Sequence, residues 1–354
     1  MANGGGRIMR HLINLKLFLI IFWNLIQPLP LFAAPSTTIV FSNDGHTNPY
    51  HVEWLSAFED ALKAYNKEFG NIEGYWVSAS RIEEQYEQVS AEIEKGVDIL
   101  FVNAMSIEAM TPLVKKAQKK GITWVSVHNN IASADYNFIL GDFENGYNQG
   151  MALATYFKGE AKIALMLGMR ANTSGDARQA GILAAVKQFP NIEVLAQEPA
   201  DWSTSKALMI AEKWYSKYPD LDALSVVTDT YLYPAMEVAK DNGLEDLSFF
   251  GYDGDKKILT EMKGEGRVKA DILLSATREG WNFVQLAYKI ANNIPVEKDH
   301  LFYTPLVLSD KTYEVCRENG FPDTIEVINI NRAIELSDNA FQEFGPNSVK
   351  TSKR

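Results

Sequence analysis

Residues 97–130 read VDILFVNAMSIEAMTPLVKKAQKKGITWVSVHNN, and they contain the pattern on which the rest of the chain is built. The apolar, β-branched runs Asp98–Val102 and Thr123–Val127 have the length of strands that are buried on both faces. Between them, Ile107–Lys120 repeats apolar residues at helical spacing, and Gly121 is a typical helix stop. The segment therefore predicts a strand, a crossover helix and a second strand of a parallel sheet.

The same alternation of strand and helix recurs along the chain. Helical patterns such as Tyr50–Phe69, Arg81–Lys95 and Arg178–Phe189 separate the strand candidates. Because one open sheet rarely holds so many strands, the pattern predicts two sheets in two lobes, joined by several crossings around a cleft. The strand candidates are Thr38–Phe41, Tyr75–Ser78, Asp98–Val102, Thr123–Val127, Phe138–Gly141, Lys162–Leu167, Glu193–Ala196, Ala223–Val227, Leu247–Tyr252 and Ala270–Leu274.

Polar and aromatic residues follow most of these strands. Examples are Ser42–His51, His128–Asn130 and Tyr252-Asp253. Each alone is also an ordinary turn or helix-cap sequence. In parallel sheets, however, ligands bind outside the carboxyl ends of the strands, where these residues would meet. Hydroxyl-matching donors and acceptors next to aromatic faces suit a neutral, polyhydroxylated ligand such as a sugar.

Composition excludes several classes of protein. The chain has 354 residues, 46% of them hydrophobic, and a formal net charge of −11. This is a globular composition, and the acidic balance argues against a nucleic-acid partner. The single Cys316 excludes an intrachain disulfide and any CxxC site.

The N-terminus has the pattern of a secretory signal peptide. Basic residues within 1–16 precede the short apolar run Leu17–Ile26 and the small-residue segment Ala33-Ala34. The run is too short to span a bilayer, which needs roughly 20 apolar residues. We therefore expect residues 1–33 to be removed and the protein to be exported to the periplasm.

Several segments at the predicted strand ends carry a resemblance. They are Asn48-Pro49-Tyr50, Gly96–Asn103, Asn172–Gly175 followed by Arg178-x-x-Gly181, Ala200-Asp201-Trp202, Thr228-Asp229 and Gly251–Gly254. In this order they resemble the type I periplasmic substrate-binding proteins, the ribose- and galactose-binding group. The resemblance implies an α/β fold of two Rossmann-like lobes with parallel sheets, a multi-strand hinge and an interlobe ligand cleft.

The resemblance also implies a domain organisation and a set of ligand-binding residues. Residues 34–141 plus 277–303 would form the N-terminal lobe, 142–276 plus 304–335 the C-terminal lobe, and 336–354 a tail. Arg178 would donate to ring and hydroxyl oxygens, and Asp253 would accept from paired hydroxyls. The implied ligand-binding residues are Asp44, Asn48, Tyr50, His51, Asn103, His128, Asn129, Arg178, Trp202, Thr228, Asp229, Tyr252 and Asp253.

Two departures from the family pattern concern the ligand, and a second resemblance concerns the partner. His128-Asn129 stands where the family normally has Asp-Arg, and Leu274 where it has Gln or Arg. The segment Asn331–Asn339 resembles the C-terminus of the furanosyl-borate autoinducer receptors, which act with a membrane sensor kinase. The implied partners are therefore a small ligand together with an ABC permease or, alternatively, a sensor kinase.

Enzyme and metal chemistry have weaker support. No nucleophile–base pair can be assembled, although Ser203–Lys206 has the S-x-x-K form of penicillin-binding enzymes. A glycosidase would need two carboxylates, for which Asp44 and Asp253 are the candidates. Cleft histidines occur without metal-ligand spacing, so no metal or other cofactor is expected. The sequence predicts a binding protein and not an enzyme.

Overall fold

The computed structural model describes residues 36–45, 48–170, 172–263 and 266–351. The chain divides before Thr37, and the description concerns the unit that begins there. The predicted signal peptide, residues 1–33, lies outside the described residues. Within them, no helix combines the length and apolar character needed to cross a membrane.

The strands form two sheets, as the alternating pattern predicts. The first sheet has the order β11-β5-β4-β3-β1-β2, and its neighbouring strands are parallel. The second has the order β13-β12-β10-β9-β8-β6-β7, with β10 and β12 antiparallel. The strands are β1 Thr37–Asn43, β2 Ile72–Ser78, β3 Ile99–Asn103, β4 Thr123–Val127, β5 Tyr136–Ile139, β6 Glu160–Leu167, β7 Asn191–Pro199, β8 Ala223–Val226, β9 Ser248–Phe250, β10 Val268–Ile272, β11 Asp299–Leu301, β12 Leu306–Leu308 and β13 Val327–Asn329.

Helices connect the strands and cover the sheets. The helices are α1 Pro49–Phe69, α2 Ile82–Lys95, α3 Ile107–Lys119, α4 Asp142–Tyr156, α5 Thr173–Val186, α6 Thr204–Lys217, α7 Leu232–Asp241, α8 Lys256–Met262, α9 Ala276–Ala291, α10 Asp310–Glu318, α11 Ile330–Asp338, α12 Ala340–Phe344 and α13 Pro346–Thr351. Local chemistry fixes their ends. For example, Asn48 caps α1 before Pro49, and Gly70 ends it with a φ of 67°.

All ten predicted strands are present, and three further strands are not predicted. The missed strands β11, β12 and β13 have three residues each; β9 is equally short, but the longer segment Leu247–Tyr252 predicts it. Several boundaries differ: β2 begins at Ile72 and not at Tyr75, β7 ends at Pro199 and not at Ala196, and β5 covers Tyr136–Ile139 and not Phe138–Gly141. The antiparallel pairing of β12 with β10 also departs from the expected all-parallel arrangement.

Three short connections join the two sheets. The chain passes between them at residues 140–141, 273–275 and 302–305. Hydrogen bonds tie these connections together: the Leu273 amide donates to the Pro305 carbonyl (3.0 Å), and the Asn145 side chain donates to the Leu140 carbonyl (2.7 Å) and to Thr304 Oγ1 (2.8 Å). The crossings therefore form a compact multi-strand hinge.

The C-terminal segment returns to the first sheet's helices. The Tyr65 hydroxyl of α1 donates to the Phe344 carbonyl (2.7 Å), and the buried Arg278 of α9 pairs with Glu343 at 3.2 Å. In contrast, α11 ends at Asp338, which pairs with Lys256 of α8 at 2.6 Å. The segment therefore contacts helices associated with both sheets.

Glycines without side chains at the contact allow α4 and α5 to pack unusually close together. A Cβ added at Gly181 would lie 2.1 Å from the Phe143 carbonyl oxygen, and one at Gly146 would lie 2.1 Å from the Arg178 carbonyl oxygen. Only glycine fits at such distances. The close packing places Arg178 of α5 against Asp142 at the start of α4, which prepares the binding site.

Candidate ligand-binding site

A cavity lies between the two lobes, at the carboxyl ends of both sheets. Polar side chains and aromatic rings from both lobes surround it, as in small-molecule sites. Most of the predicted binding residues line it. The lining residues are Asp44, Asn48, Tyr50, His51, Asn103, His128, Asn129, Asn172, Ser174, Arg178, Trp202, Thr228, Asp253 and Leu274.

Amide groups build the wall that the first sheet contributes. The Asn103 side chain, at the end of β3, donates to Asp44 Oδ1 (2.8 Å) and to Asn43 Oδ1 (3.2 Å). Its own Oδ1 accepts from the Asn129 side chain at 3.2 Å. Because each amide orients the next, this wall offers fixed donors and acceptors to a ligand.

His128 and the start of α1 supply the aromatic part of the same wall. The His128 backbone has a φ of 57°, which turns the chain sharply after β4. Its imidazole stacks on the buried Trp54 ring, with centroids 5.0 Å apart and planes within 7°. His128 Nε2 lies 3.3 Å from Glu279 Oε2, a carboxylate that the sequence prediction missed. Nothing in the spacing of α9 signals that its first turn faces His128.

Arg178 is held rigidly on the opposite wall. Its Nε donates to Asp142 Oδ1 (2.8 Å), and Nη1 donates to the Val227 carbonyl (2.8 Å). The guanidinium also lies over the Tyr252 ring, 3.9 Å from its centroid. Burial works against the charged form, but Tyr252, Asp142 and Asp253 outweigh it and raise the pKa of Arg178. The group therefore remains a cation with a fixed orientation.

Asp253 lies beside Arg178 and belongs to a group of buried carboxylates. Its Oδ2 accepts from Thr228 Oγ1 (2.6 Å) and from the Asp229 amide (3.1 Å), and its Oδ1 lies 3.7 Å from Arg178 Nη1. Burial is the largest effect and raises the pKa of Asp253 to about 7. Burial likewise raises the pKa of Asp229 and of Asp271, which interact with Asp253.

Trp202 closes the cavity from the second lobe. Asp201 and Trp202 both have positive φ angles, 53° and 59°, in the turn before α6. The Trp202 amide donates to the Tyr231 hydroxyl (2.7 Å), which holds the turn in place. The indole lies so close to Gly168 that a Cβ there would approach it to 2.5 Å. The ring edge is thereby fixed at the rim of the cavity.

Two predicted residues lie behind the cavity and do not line it. Asp229 accepts from the Tyr252 amide (2.9 Å) and the Asp255 amide (2.9 Å), so it holds two loops together. The Tyr252 hydroxyl donates to Asp142 Oδ1 at 3.0 Å, beneath Arg178. In contrast, Asn172 and Ser174 line the cavity, although the sequence predicts only a turn before α5 there.

The residues that could indicate an enzyme or a metal site make local structural contacts. Ser203 Oγ accepts from the Lys206 amide at 3.3 Å as the cap of α6, and the Lys206 ammonium pairs with Asp201. His51 lies 3.6 Å from Asp44, and burial lowers the pKa of its imidazole. Among the described ranges, no group of three metal-ligating side chains occurs.

Comparison with known proteins identifies the family. A family model described as periplasmic binding protein domain matches residues 39–294. The chain belongs to this family. Periplasmic binding proteins of this kind bind substrates and are not enzymes, and the curated relatives of this chain support the sugar-binding group that the sequence resembles.

Two curated relatives and one solved structure illustrate the similarity. A xylitol-binding protein of Mycolicibacterium smegmatis is 25% identical over 261 residues, 73% of this chain and 74% of the relative. A D-ribose/D-allose-binding protein of Pseudomonas aeruginosa is 26% identical over 271 residues, 72% of this chain and 84% of the relative. A solute-binding protein from Mycobacterium smegmatis with bound glycerol is 25% identical with a TM-score of 0.70, covering 82% of this periplasmic binding protein and 99% of that chain.

Proposed function

We propose that this protein is exported to the periplasm, captures a small polyhydroxylated ligand in the interlobe cavity, and delivers it to an ABC permease. The family supports the solute-binding role itself. The ligand class is supported by the cavity, whose walls combine oriented amides, a fixed guanidinium and the Trp202 ring. Relatives that bind xylitol, ribose and allose bind ligands of this class.

The lobes would close because the ligand contacts both of them. Asn103 and Asn129 belong to the first sheet's side, whereas Arg178 and Asp253 belong to the second. A ligand that bridges them shifts the equilibrium toward the closed form by its differential affinity for that form. The closed outer surface is then available for recognition by a membrane partner.

A thermal-shift screen followed by calorimetry tests this function. The protein lacking residues 1–33 is measured against pentoses, hexoses and polyols. A ligand at 100 times its Kd should stabilise the protein by about 2.7 kcal/mol. We expect the shift to disappear in Trp202→Ala, whereas Trp76→Ala, on β2 and outside the cavity lining, should keep it. Absence of any shift with every compound would contradict the ligand class.

The sensor-kinase alternative has its own support in the C-terminal segment. The resemblance to the autoinducer receptors covers residues that form α11, and Ser337 and Asp338 line a crevice that Tyr50 and Asp253 also line. Ligand-dependent binding to a purified periplasmic domain of a sensor kinase would favour signalling. Ligand-dependent stimulation of a permease ATPase, without kinase binding, would favour transport.

A further inference from the structure

Carboxyl side chains outnumber arginine and lysine side chains around the cavity. Asp44 and Asp253 line it, and the carboxylate of Glu279 lies behind His128. Among the described lining residues, Arg178 is the only arginine or lysine. Since Arg178 already pairs with Asp142 at 2.8 Å, its charge is compensated by the protein itself.

Glu279 is the least compensated of these carboxylates. The residue is 0% exposed, and neither carboxylate oxygen has a hydrogen-bond partner. His128 Nε2 lies 3.3 Å from Glu279 Oε2 and has no hydrogen-bond partner either. The first turn of α9 adds only the partial positive charge of a helix end. Burying a carboxyl group without hydrogen bonds is costly unless another group supplies the missing interactions.

The electrostatic effect of Glu279 reaches the cavity wall. The hydroxyl of Tyr50, which lines the cavity, is buried without a hydrogen-bond partner. Burial raises the pKa of Tyr50 most, and Glu279 and then Asp253 raise it further. Glu279 also adds to the raised pKa of Asp253. The Tyr50 hydroxyl and His128 Nε2 therefore connect Glu279 to the cavity wall.

Building on the proposed solute-binding function, we propose that the ligand is a polyol or sugar that carries an ammonium group, and that Glu279 determines this preference together with Asp253. An ammonium in the cavity would supply the positive charge that the protein lacks. Its hydrogen-bond donors would meet acceptor atoms on a wall rich in carboxylates and amides. The same carboxylates would repel anionic sugars such as uronic acids and sugar phosphates.

Matched ligand pairs test the proposal. Binding is measured by calorimetry for D-allose and 2-amino-2-deoxy-D-allose, for D-glucose and D-glucosamine, and for xylitol and 1-amino-1-deoxyxylitol. N-acetyl-D-glucosamine serves as a neutral compound that retains the nitrogen. We expect at least one amine to bind ten times or more tighter than its neutral counterpart. In Glu279→Gln this ratio should fall toward one, while Glu53→Gln, an exposed position of α1, should leave it unchanged.

The outcomes separate the two proposals. Equal or tighter binding of the neutral compound in every pair overturns the ammonium preference and leaves the solute-binding function intact. An unchanged ratio in a folded Glu279→Gln variant overturns the role of Glu279. If that variant does not fold, the ratios of the unmodified protein decide the ligand class, and Asp253→Asn decides whether the cavity carboxylates cause it. Failure of both members of every pair to bind contradicts the polyol function and this proposal with it.

Discussion

At the scale of single residues, Asp253 links the stability of the protein to pH. Burial raises the pKa of this carboxyl from its ordinary value of 3.8 to about 7. Between these values the native protein binds more protons than the unfolded chain, so the free energy of unfolding falls as pH rises through the window. A pKa that differs by one between the native and unfolded states changes this free energy by about 1.4 kcal/mol. We expect Asp253→Asn to flatten the dependence between pH 4 and 7, as measured by urea unfolding at several pH values.

The dependence should be flattened and not abolished, because burial also raises the pKa of Asp229 and of Asp271. Asp60→Asn, at an exposed position of α1, provides the control and should leave the curve unchanged. If Asp253→Asn kept the full slope, the carboxyl would have an ordinary pKa in the native protein.

At the scale of elements, the packing of α4 on α5 determines where Arg178 lies. A Cβ at Gly181 would overlap the Phe143 carbonyl, so Gly181→Ala must push the two helices apart. We expect a loss of about 1–3 kcal/mol in unfolding free energy, typical of overpacking. Ligand affinity should also fall, because Arg178 would move relative to Asp142. Urea unfolding and calorimetry measure the two effects, and Ala180→Leu, at the exposed neighbouring position, should change neither. Normal affinity in Gly181→Ala would show that the helices adjust without moving Arg178.

At the scale of the whole molecule, direct hydrogen bonds join the two lobes. Thr173 Oγ1 of α5 donates to Asn129 Oδ1 after β4 at 2.7 Å, although Thr173 does not line the cavity. We expect Thr173→Val to weaken ligand binding by about 1 kcal/mol, because the closed form loses one hydrogen bond. Calorimetry measures the affinity, and small-angle scattering with ligand measures the compaction on closure. Thr111→Val, whose hydroxyl bonds within α3, should affect neither. An unchanged affinity in Thr173→Val would mean that this bond has equal strength in both forms.

The sequence alone predicted most of the architecture. Buried strands such as Ile99–Asn103 and Thr123–Val127 have apolar patterns that depend only on local composition and spacing, so they could be recognised before any tertiary contact was known. The polar segments after the strands also indicated the cavity, because the carboxyl ends of parallel strands meet at one edge. The short strands β11 to β13 were not predicted, because pairing with the distant strands β5 and β10, and of β13 with β12, defines them.

Only the tertiary structure decided how the charged groups of the site are arranged. No local signal places Glu279 against His128, because the two residues belong to elements far apart in the chain. Nor does the sequence show that Asp229 and Tyr252 support Arg178 and Asp253 from behind, while Asn172 and Ser174 line the cavity. Burial and charge pairing are properties of the folded chain. The sequence therefore determined the family and the sheet edge at which the cavity lies, whereas the fold determined how the charged groups around that cavity are arranged.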